Sequence, residues 1–105
     1  MEVNAVRDLE HQRIALVDET GKEVGKIMVY VKYGIVTLNH TQLDPSLKGT
    51  GLGIKLIDDA VAYTRENNLK INALCPYARK MLERNKERYG EDIIAKPLES
   101  SEEFF

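Results

Sequence analysis

Three glycines alternate with other residues at positions 49, 51 and 53 of this 105-residue chain. The segment before them alternates in polarity like a strand and stops at Asp44 and Pro45, and the segment after them has the period of a helix. Glycine allows a ligand to approach the backbone closely, and the start of a helix presents unpaired N–H groups at the positive end of its dipole. The pattern predicts either a tight strand-to-helix turn or a phosphate site.

Two nucleotide-binding motifs do not fit this loop. A Walker loop requires Gly-Lys followed by Ser or Thr, whereas Gly53 is followed by Ile54 and Lys55. The dinucleotide fingerprint GxGxxG fails as well, because the glycines are spaced GxGxG and the preceding strand does not open a βαβ unit. The loop by itself therefore leaves the turn and the phosphate site as alternatives.

The rest of the chain predicts a mixed α+β fold. Upstream of the loop, three apolar or alternating segments with short connections predict an antiparallel meander, with Gly25 as a candidate bulge: residues 13–17, 22–33 and 35–43. Downstream, a helix from Leu52, a strand at residues 70–74 and a helix from Pro76 form a β-α-β-α unit with parallel pairing. We expect one domain over residues 1–105, with its core at about residues 12–90 and a flexible acidic tail at residues 96–105.

Composition excludes several classes of function. Fifteen basic and seventeen acidic residues give a net charge of −2, so there is no basic excess for binding nucleic acid. The chain has neither an apolar stretch of bilayer length nor the features of a signal peptide, which predicts no membrane association and a cytoplasmic location. A single cysteine, Cys75, cannot form an internal disulfide or a thiolate metal cage.

The order of these elements resembles the GNAT superfamily of acetyl-CoA-dependent N-acyltransferases. The family's phosphate signature is Arg or Gln, two residues, Gly, one residue, then Gly or Ala, and it corresponds here to Lys48, Gly51 and Gly53. A small, single-domain YjdJ-type subgroup is closer still, because its strand ending in His-Thr leads into Pro and RGxGxG, and a later strand ends in Leu-Cys-Pro. The corresponding residues are His40-Thr41, Pro45, 48–53 and Leu74-Cys75-Pro76.

This resemblance implies acetyl-CoA as co-substrate and no metal. The loop amides would hold the coenzyme pyrophosphate, and the pantetheine arm would lie along the end of the preceding strand, where the fourth and fifth strands splay apart. The N–H near Leu43 would polarise the thioester carbonyl. The implied coenzyme-binding residues are Thr41, Gln42, Leu43, Lys48, Gly49, Thr50, Gly51, Leu52, Gly53 and Ile54.

His40 and Cys75 are the candidate catalytic residues. An imidazole is a common general base, so His40 would serve as the base, but strict alternation puts it on the same face as Leu38, so a buried or hydrogen-bonded structural role stays open. Cys75 would act as an acyl-accepting nucleophile, as a proton donor to the leaving thiolate, or as a small buried residue. Tyr77 is either a proton donor or a core aromatic, and His11 is expected on the surface.

The predicted function is transfer of an acetyl group from acetyl-CoA to an unidentified amine, on a small molecule or a peptide. Two alternatives from other classes are a non-catalytic acyl-CoA-binding or sensing module, and an interaction protein whose glycines only form a turn. Lys48 keeps the charge of the usual arginine but loses its planar fork. Larger relatives build the acceptor side from N-terminal helices without counterpart here, so neither the acceptor nor the oligomeric state is predicted.

Overall fold

The computed structural model describes residues 2–95, which form a five-stranded sheet in the order β1-β2-β3-β4-β5. The strands are β1 (Val3–Asp8), β2 (Arg13–Asp18), β3 (Glu23–Lys32), β4 (Ile35–Leu43) and β5 (Lys70–Ala73). The first four pair antiparallel, whereas β4 and β5 pair parallel. The helices are α1 (Ile54–Glu66), α2 (Pro76–Arg84) and α3 (Lys86–Tyr89), and short 3-10 turns lie at Leu9–His11, Pro45–Leu47 and Glu91–Ile93. The predicted mixed α+β fold is confirmed.

Both long helices pack on the same face of the sheet. Their buried side chains share one apolar core with the inward positions of the strands, and burial of each large aliphatic side chain contributes about 1.5–3 kcal/mol. On the opposite face, the alternate positions of β3, such as Lys26 and Tyr30, are only partly buried, and no helix of residues 2–95 covers them. Core members with almost no exposure include Ile14, Leu16, Ile27, Leu38, Leu56, Ile57 and Ile71.

The predicted meander was one strand short. β1 pairs along its whole length with β2, so the antiparallel part has four strands, and the core begins before residue 12. The third inward position of β1 is Arg7, whose guanidinium reaches Asp59 and Glu66 of α1, each at 2.8 Å. An arginine at an inward position interrupts the apolar alternation from which a strand is predicted.

A β-bulge interrupts β4 and changes the predicted orientation of His40. Between the pairs at Leu38 and Thr41, β4 has two residues, Asn39 and His40, where β3 has only Met28. The extra residue reverses the alternation that follows, so Thr41 turns toward the helices while Asn39 and His40 are exposed. The expected shared face of His40 and Leu38 was therefore wrong, and the structure excludes a buried structural histidine.

The parallel pair β4-β5 is short and opens at one end. Pairing ends at Leu38 and Ala73, and the Leu38 carbonyl accepts hydrogen bonds from the N–H groups of Leu74 and Cys75 at 2.9 and 3.3 Å. Residues 39–43 of β4 continue without a β5 partner, while Pro76 begins α2. The predicted splay of the fourth and fifth strands thus leaves a cleft between the end of β4 and the start of α2.

The described chain also continues past the predicted core at its other end. Ile94 forms a parallel bridge with Ile71, and the N–H of Ala95 donates to the Ile71 carbonyl at 2.8 Å. Tyr89 and Ile93 are buried in the main core. The expected acidic tail at residues 96–105 lies outside the described residues. Within the part of the chain that is described, no helix is long and apolar enough to cross a membrane.

Candidate active site

A cavity of about 480 Å³ lies at the open end of the β4-β5 cleft. Its walls come from three elements that are distant in sequence: the end of β4, the loop at residues 47–54 and one side of α2. Because parallel pairing stops at Leu38, the cavity lies where β4 has lost its neighbour. The lining residues are Leu43, Leu47, Lys48, Gly49, Gly51, Gly53, Ile54, Tyr77, Met81 and Arg84.

The three alternating glycines all line this cavity, and their N–H groups donate to no acceptor within residues 2–95. Gly49 and Gly51 have φ values of 81° and 77°, a left-handed conformation that favours glycine. The intervening amides are satisfied within the loop, because Thr50 donates to the Leu47 carbonyl and Leu52 donates to the Thr50 hydroxyl, both at 3.1 Å. Successive backbone donors of this kind form a concave site for an anion.

The third glycine is needed for a different reason. Gly53 precedes α1 with a helical φ of −61°, so its conformation is open to any residue. A Cβ atom at this position would lie 2.7 Å from the Tyr77 hydroxyl and 2.8 Å from a Leu43 methyl carbon. Gly53 therefore allows β4, the loop and α2 to meet in one continuous wall.

The remaining predicted binding residues fall into three groups. Lys48 and Ile54 line the cavity, whereas Thr50 and Leu52 do not and instead shape the loop through their own hydrogen bonds. Lys55, which was not among the predicted binding residues, points elsewhere, since its Nζ donates to the Val3 carbonyl at 2.9 Å. Gln42 borders a smaller pocket of about 200 Å³, together with residues of β3.

Backbone polarity at the end of β4 matches the expected role of Leu43. The N–H of Asp44 donates to the Val24 carbonyl of β3 at 2.8 Å. Backbone groups of an antiparallel strand alternate in direction, so the N–H groups of Thr41 and Leu43 point away from β3 and into the cleft. The cleft thus contains backbone donors at positions 41 and 43.

Cys75 lies at the inner end of the cleft, immediately before α2, and is only 6% exposed. Its Sγ is 3.2 Å from the Thr41 hydroxyl oxygen. Burial raises the pKa of the Cys75 thiol, but hydrogen bonds from the Thr41 hydroxyl and from the N–H groups of Ala78, Tyr77 and Thr41 outweigh it. The pKa of Cys75 is therefore below its ordinary value, which favours the thiolate.

Tyr77 presents its hydroxyl to the same cavity. Burial raises the pKa of Tyr77, and the nearby charges of Cys75 and Asp58 raise it further. The side chain therefore remains a neutral phenol at physiological pH, and it is able to donate a proton or a hydrogen bond. Tyr77 is half-buried and also lines the cavity, so its position is compatible with either predicted role, and its role as a proton donor stays a prediction.

His40 lies on the other side of β4 from Cys75. The bulge leaves it exposed on the sheet face that no helix of residues 2–95 covers, and Gln42 follows on the same face beside the smaller pocket. Glu23 and Asp44 also border that pocket, although Glu23 is paired with Arg13 and Asp44 accepts from the N–H of Ser46. The two candidate catalytic residues thus approach the end of β4 from opposite faces.

Two lining residues of α2 were not among the predicted binding residues. Met81 and Arg84 follow Tyr77 at spacings of four and seven residues, which puts all three on one side of the helix. The sequence contained this spacing, but the apolar pattern of the helix placed Arg84 among the solvent-facing residues.

The family model described as GCN5-related N-acetyl-transferase matches residues 13–93, which include the loop, the cleft and both long helices. The chain belongs to this family. The expected GNAT superfamily membership is confirmed, and the narrower YjdJ-type subgroup remains a prediction. No curated protein matches the chain.

Several solved structures share the fold. A GCN5-like protein from Staphylococcus aureus is 29% identical, with a TM-score of 0.64, over 90% of this chain and 87% of its own. The ribosomal-protein-S18-alanine N-acetyltransferase of Escherichia coli is 17% identical, with a TM-score of 0.60, over 74% of this chain and 53% of its own. N-acetylglutamate synthase from Neisseria gonorrhoeae, solved with coenzyme A and N-acetyl-glutamate, is 17% identical, with a TM-score of 0.59, over 78% of this chain and 22% of its own. The chain thus spans about half or less of the length of the last two proteins.

Proposed function

We propose that this protein is an acetyl-CoA-dependent N-acetyltransferase, acting through one domain over residues 1–105. The observation that carries the proposal is the row of three glycines along the cavity, whose N–H groups have no acceptor within residues 2–95. Cys75, with its lowered pKa, lies at the inner end of the same cleft. Family membership supports the same reaction class. The amides supply a site for the coenzyme phosphates, and the cleft extends from them toward a reactive side chain.

In this proposal the coenzyme enters with its pyrophosphate at Gly49, Gly51 and Gly53, beside the charge of Lys48. Its pantetheine arm lies along residues 41–43, which have no β5 partner and so present free backbone edge. The N–H of Leu43 points into the cleft and polarises the thioester carbonyl. Such a donor needs no reorganisation when negative charge develops on the oxygen.

The amine approaches from the uncovered face of the sheet, where His40 is exposed. His40 accepts the proton that the amine loses when it attacks the thioester carbon, and the carbon–sulfur bond to coenzyme A breaks. In the direct route, Tyr77 or Cys75 protonates the departing thiolate. The raised pKa of Tyr77 keeps its proton in place at physiological pH, whereas the lowered pKa of Cys75 leaves a larger fraction of that thiol already deprotonated.

The lowered pKa of Cys75 favours a covalent route instead. Its thiolate attacks the thioester carbon, the coenzyme leaves as a thiolate and acetyl-Cys75 forms; the amine then displaces Cys75. Intact mass after incubation with acetyl-CoA separates the routes, because an added acetyl group that is absent in Cys75→Ala supports the covalent one. Unchanged turnover in Cys75→Ala removes Cys75 from the reaction.

The first experiment is titration with coenzyme A by calorimetry, with thermal unfolding as a second measurement. We expect saturable binding and a higher melting temperature, because a ligand that binds only the folded state stabilises it. Release of coenzyme A from acetyl-CoA is then followed chromatographically with polyamines, amino acids and lysine peptides. No coenzyme binding at millimolar concentration contradicts the proposal and leaves the interaction protein as the alternative.

A non-catalytic acyl-CoA-binding or sensing module is the second candidate. One observation favours it: His40 is exposed on a sheet face that no helix of residues 2–95 covers, whereas small-molecule sites are usually concave. This module predicts coenzyme binding without turnover on any acceptor of the panel. Binding together with acceptor-dependent release of coenzyme A supports the transferase.

A further inference from the structure

Arg84 differs from the other arginines of the described chain. Four of them, Arg7, Arg13, Arg65 and Arg88, form ion pairs with carboxylates, and Arg79 donates to the Ala73 carbonyl at 3.3 Å. Within residues 2–95, Arg84 has neither an ion pair nor a hydrogen bond to another side chain or carbonyl. It is exposed, and it lines the 480 Å³ cavity.

The position of Arg84 along α2 places it at the far end of this cavity. Cys75 immediately precedes α2. A residue later in α2 therefore lies farther from the Cys75 thiol. Tyr77 lies in the first turn and Arg84 in the last, which separates them by roughly 10 Å at about 1.5 Å per residue. Met81 lies between them on this side of the helix and is apolar. The wall that α2 contributes therefore presents the Tyr77 phenol first, then the Met81 thioether and then the Arg84 guanidinium.

The positive charges that line the cavity come from two of its walls. Lys48 and the glycine amides that have no acceptor within residues 2–95 come from the loop, and Arg84 comes from α2. Lys48 contributes a compact point charge, whereas a guanidinium presents a planar fork that binds two phosphate oxygens at once. Along the α2 wall, apolar Met81 precedes cationic Arg84, an order that matches a ligand with an uncharged arm and a phosphorylated terminus.

We infer that Arg84 binds a phosphate group of coenzyme A from the side of the cavity opposite the glycine loop. This inference rests on the proposed function, and it makes Arg84 a determinant of selectivity for the phosphorylated coenzyme. Coenzyme A carries a pyrophosphate and a 3′-phosphate, which share the chemistry that a guanidinium recognises. The two sources are distinguished by comparing coenzyme A with dephospho-coenzyme A, which lacks only the 3′-phosphate.

A purely structural role makes a different prediction. Arg84 lies in the last turn of α2, where a cation stabilises the negative end of the helix dipole. Loss of that interaction would lower the stability of the protein without changing how binding responds to salt. Stability, affinity and salt dependence therefore have to be measured on the same variants.

The test compares Arg84→Gln with Lys80→Gln, a matched loss of one positive charge. Lys80 is exposed on the same helix and does not line the cavity. We expect Arg84→Gln to weaken coenzyme A binding about tenfold or more in calorimetry, equivalent to about 1.4 kcal/mol. Lys80→Gln should stay within twofold of wild type, and Arg84→Lys should restore part of the loss.

Salt and the second ligand complete the test. The salt dependence of the coenzyme dissociation constant should become shallower in Arg84→Gln, because one fewer cation meets the phosphates. If the loss persists with dephospho-coenzyme A, Arg84 binds the pyrophosphate; if it disappears, Arg84 binds the 3′-phosphate. Either result supports the inference.

The inference is overturned if Arg84→Gln binds coenzyme A as well as Lys80→Gln does. It is also overturned if affinity falls while the salt dependence stays that of wild type and urea unfolding shows reduced stability. Wild-type protein that does not bind coenzyme A at all overturns the proposed function itself. The failures are therefore distinguishable in one set of titrations.

Discussion

The hydroxyl oxygen of Thr41 lies 3.2 Å from the Sγ of Cys75, and this contact crosses the cleft where β4 and β5 separate. It exists because the bulge at Asn39 and His40 turns Thr41 toward the helices. One extra residue in β4 therefore has two consequences. It brings a hydroxyl to the cysteine on the covered face, and it leaves the histidine on the open face.

The first prediction concerns the ionisation of Cys75. The Thr41 hydroxyl lowers the pKa of the thiol, so Thr41→Val should raise that pKa. A hydrogen bond to a charged group stabilises that charge, and the remaining backbone donors keep part of the effect, so we expect a rise toward the ordinary thiol value. The midpoint of thiolate absorbance near 240 nm measures it directly, since Cys75 is the only cysteine.

Two controls make this measurement specific. Cys75→Ala provides the baseline, because ionised tyrosine side chains also absorb at this wavelength. Thr37→Val makes the same chemical change on the same strand, before the bulge and away from Cys75. A Thr41→Val midpoint equal to that of Thr37→Val would show that the hydroxyl does not stabilise the thiolate.

The second prediction separates the two reasons for a glycine in the loop. Gly51 and Gly21 both have positive φ values, 77° and 89°, and neither has an atom within 4 Å of an added Cβ. Alanine at either position should therefore cost a similar amount of stability, about 1–2 kcal/mol in urea unfolding. Only Gly51→Ala should also weaken coenzyme A binding, by about tenfold or more. Alanine keeps the N–H of residue 51, but relief of the strained positive φ would turn that N–H away from the cavity that residue 51 lines.

Gly21 is a suitable control because its turn connects β2 to β3, away from the cavity. Equal coenzyme affinity in Gly51→Ala and Gly21→Ala would remove the Gly51 amide from the binding site. The loop would then be a turn only, which is the alternative that the sequence left open.

The third prediction concerns the contact of Gly53 with α2. Gly53→Ala places a Cβ 2.7 Å from the Tyr77 hydroxyl, so Tyr77 or Leu43 must move. We expect a loss of about 1–3 kcal/mol in unfolding free energy from overpacking, together with weaker coenzyme binding. Tyr77→Phe in the Gly53→Ala background removes the closest atom and should recover part of the stability. No recovery would locate the strain at Leu43 instead.

Strand and helix boundaries were predictable where glycine or proline marks them. Gly34 and the Asp44-Pro45 pair bound residues 35–43, and β4 has those bounds in the structure. β1 was missed because its third inward position is Arg7, which buries little and instead reaches two carboxylates of α1. Such long-range ion pairs depend on tertiary structure, and local alternation does not reveal them.

The candidate site was predictable in part. The glycine spacing identified the loop, but only the backbone hydrogen bonds show that the glycine amides are free while those of Thr50 and Leu52 are used. The orientation of His40 was wrong because a bulge leaves alternation in the sequence intact while inverting it in space. Arg84 was missed because a basic residue on a helix is ordinarily solvated.

The fourth prediction concerns His40, using the amine that gives the fastest turnover in the acceptor panel. His40→Ala should reduce turnover by about 10²–10⁴-fold, the usual contribution of a general base. Because His40 is exposed, the melting temperature and the coenzyme dissociation constant should stay within error of wild type. Such a split between catalysis and binding is not expected of a structural histidine.

His11→Ala is the matched control for this variant. His11 is also exposed, and its Nδ1 lies 2.8 Å from Asp8, in the turn between β1 and β2 rather than beside the cleft. Its replacement should leave turnover and coenzyme affinity unchanged. Turnover in His40→Ala within twofold of His11→Ala would mean that another group accepts the amine proton. A simultaneous loss of coenzyme binding would instead place His40 at the coenzyme, although the bulge directs it to the open face where the acceptor is proposed to enter.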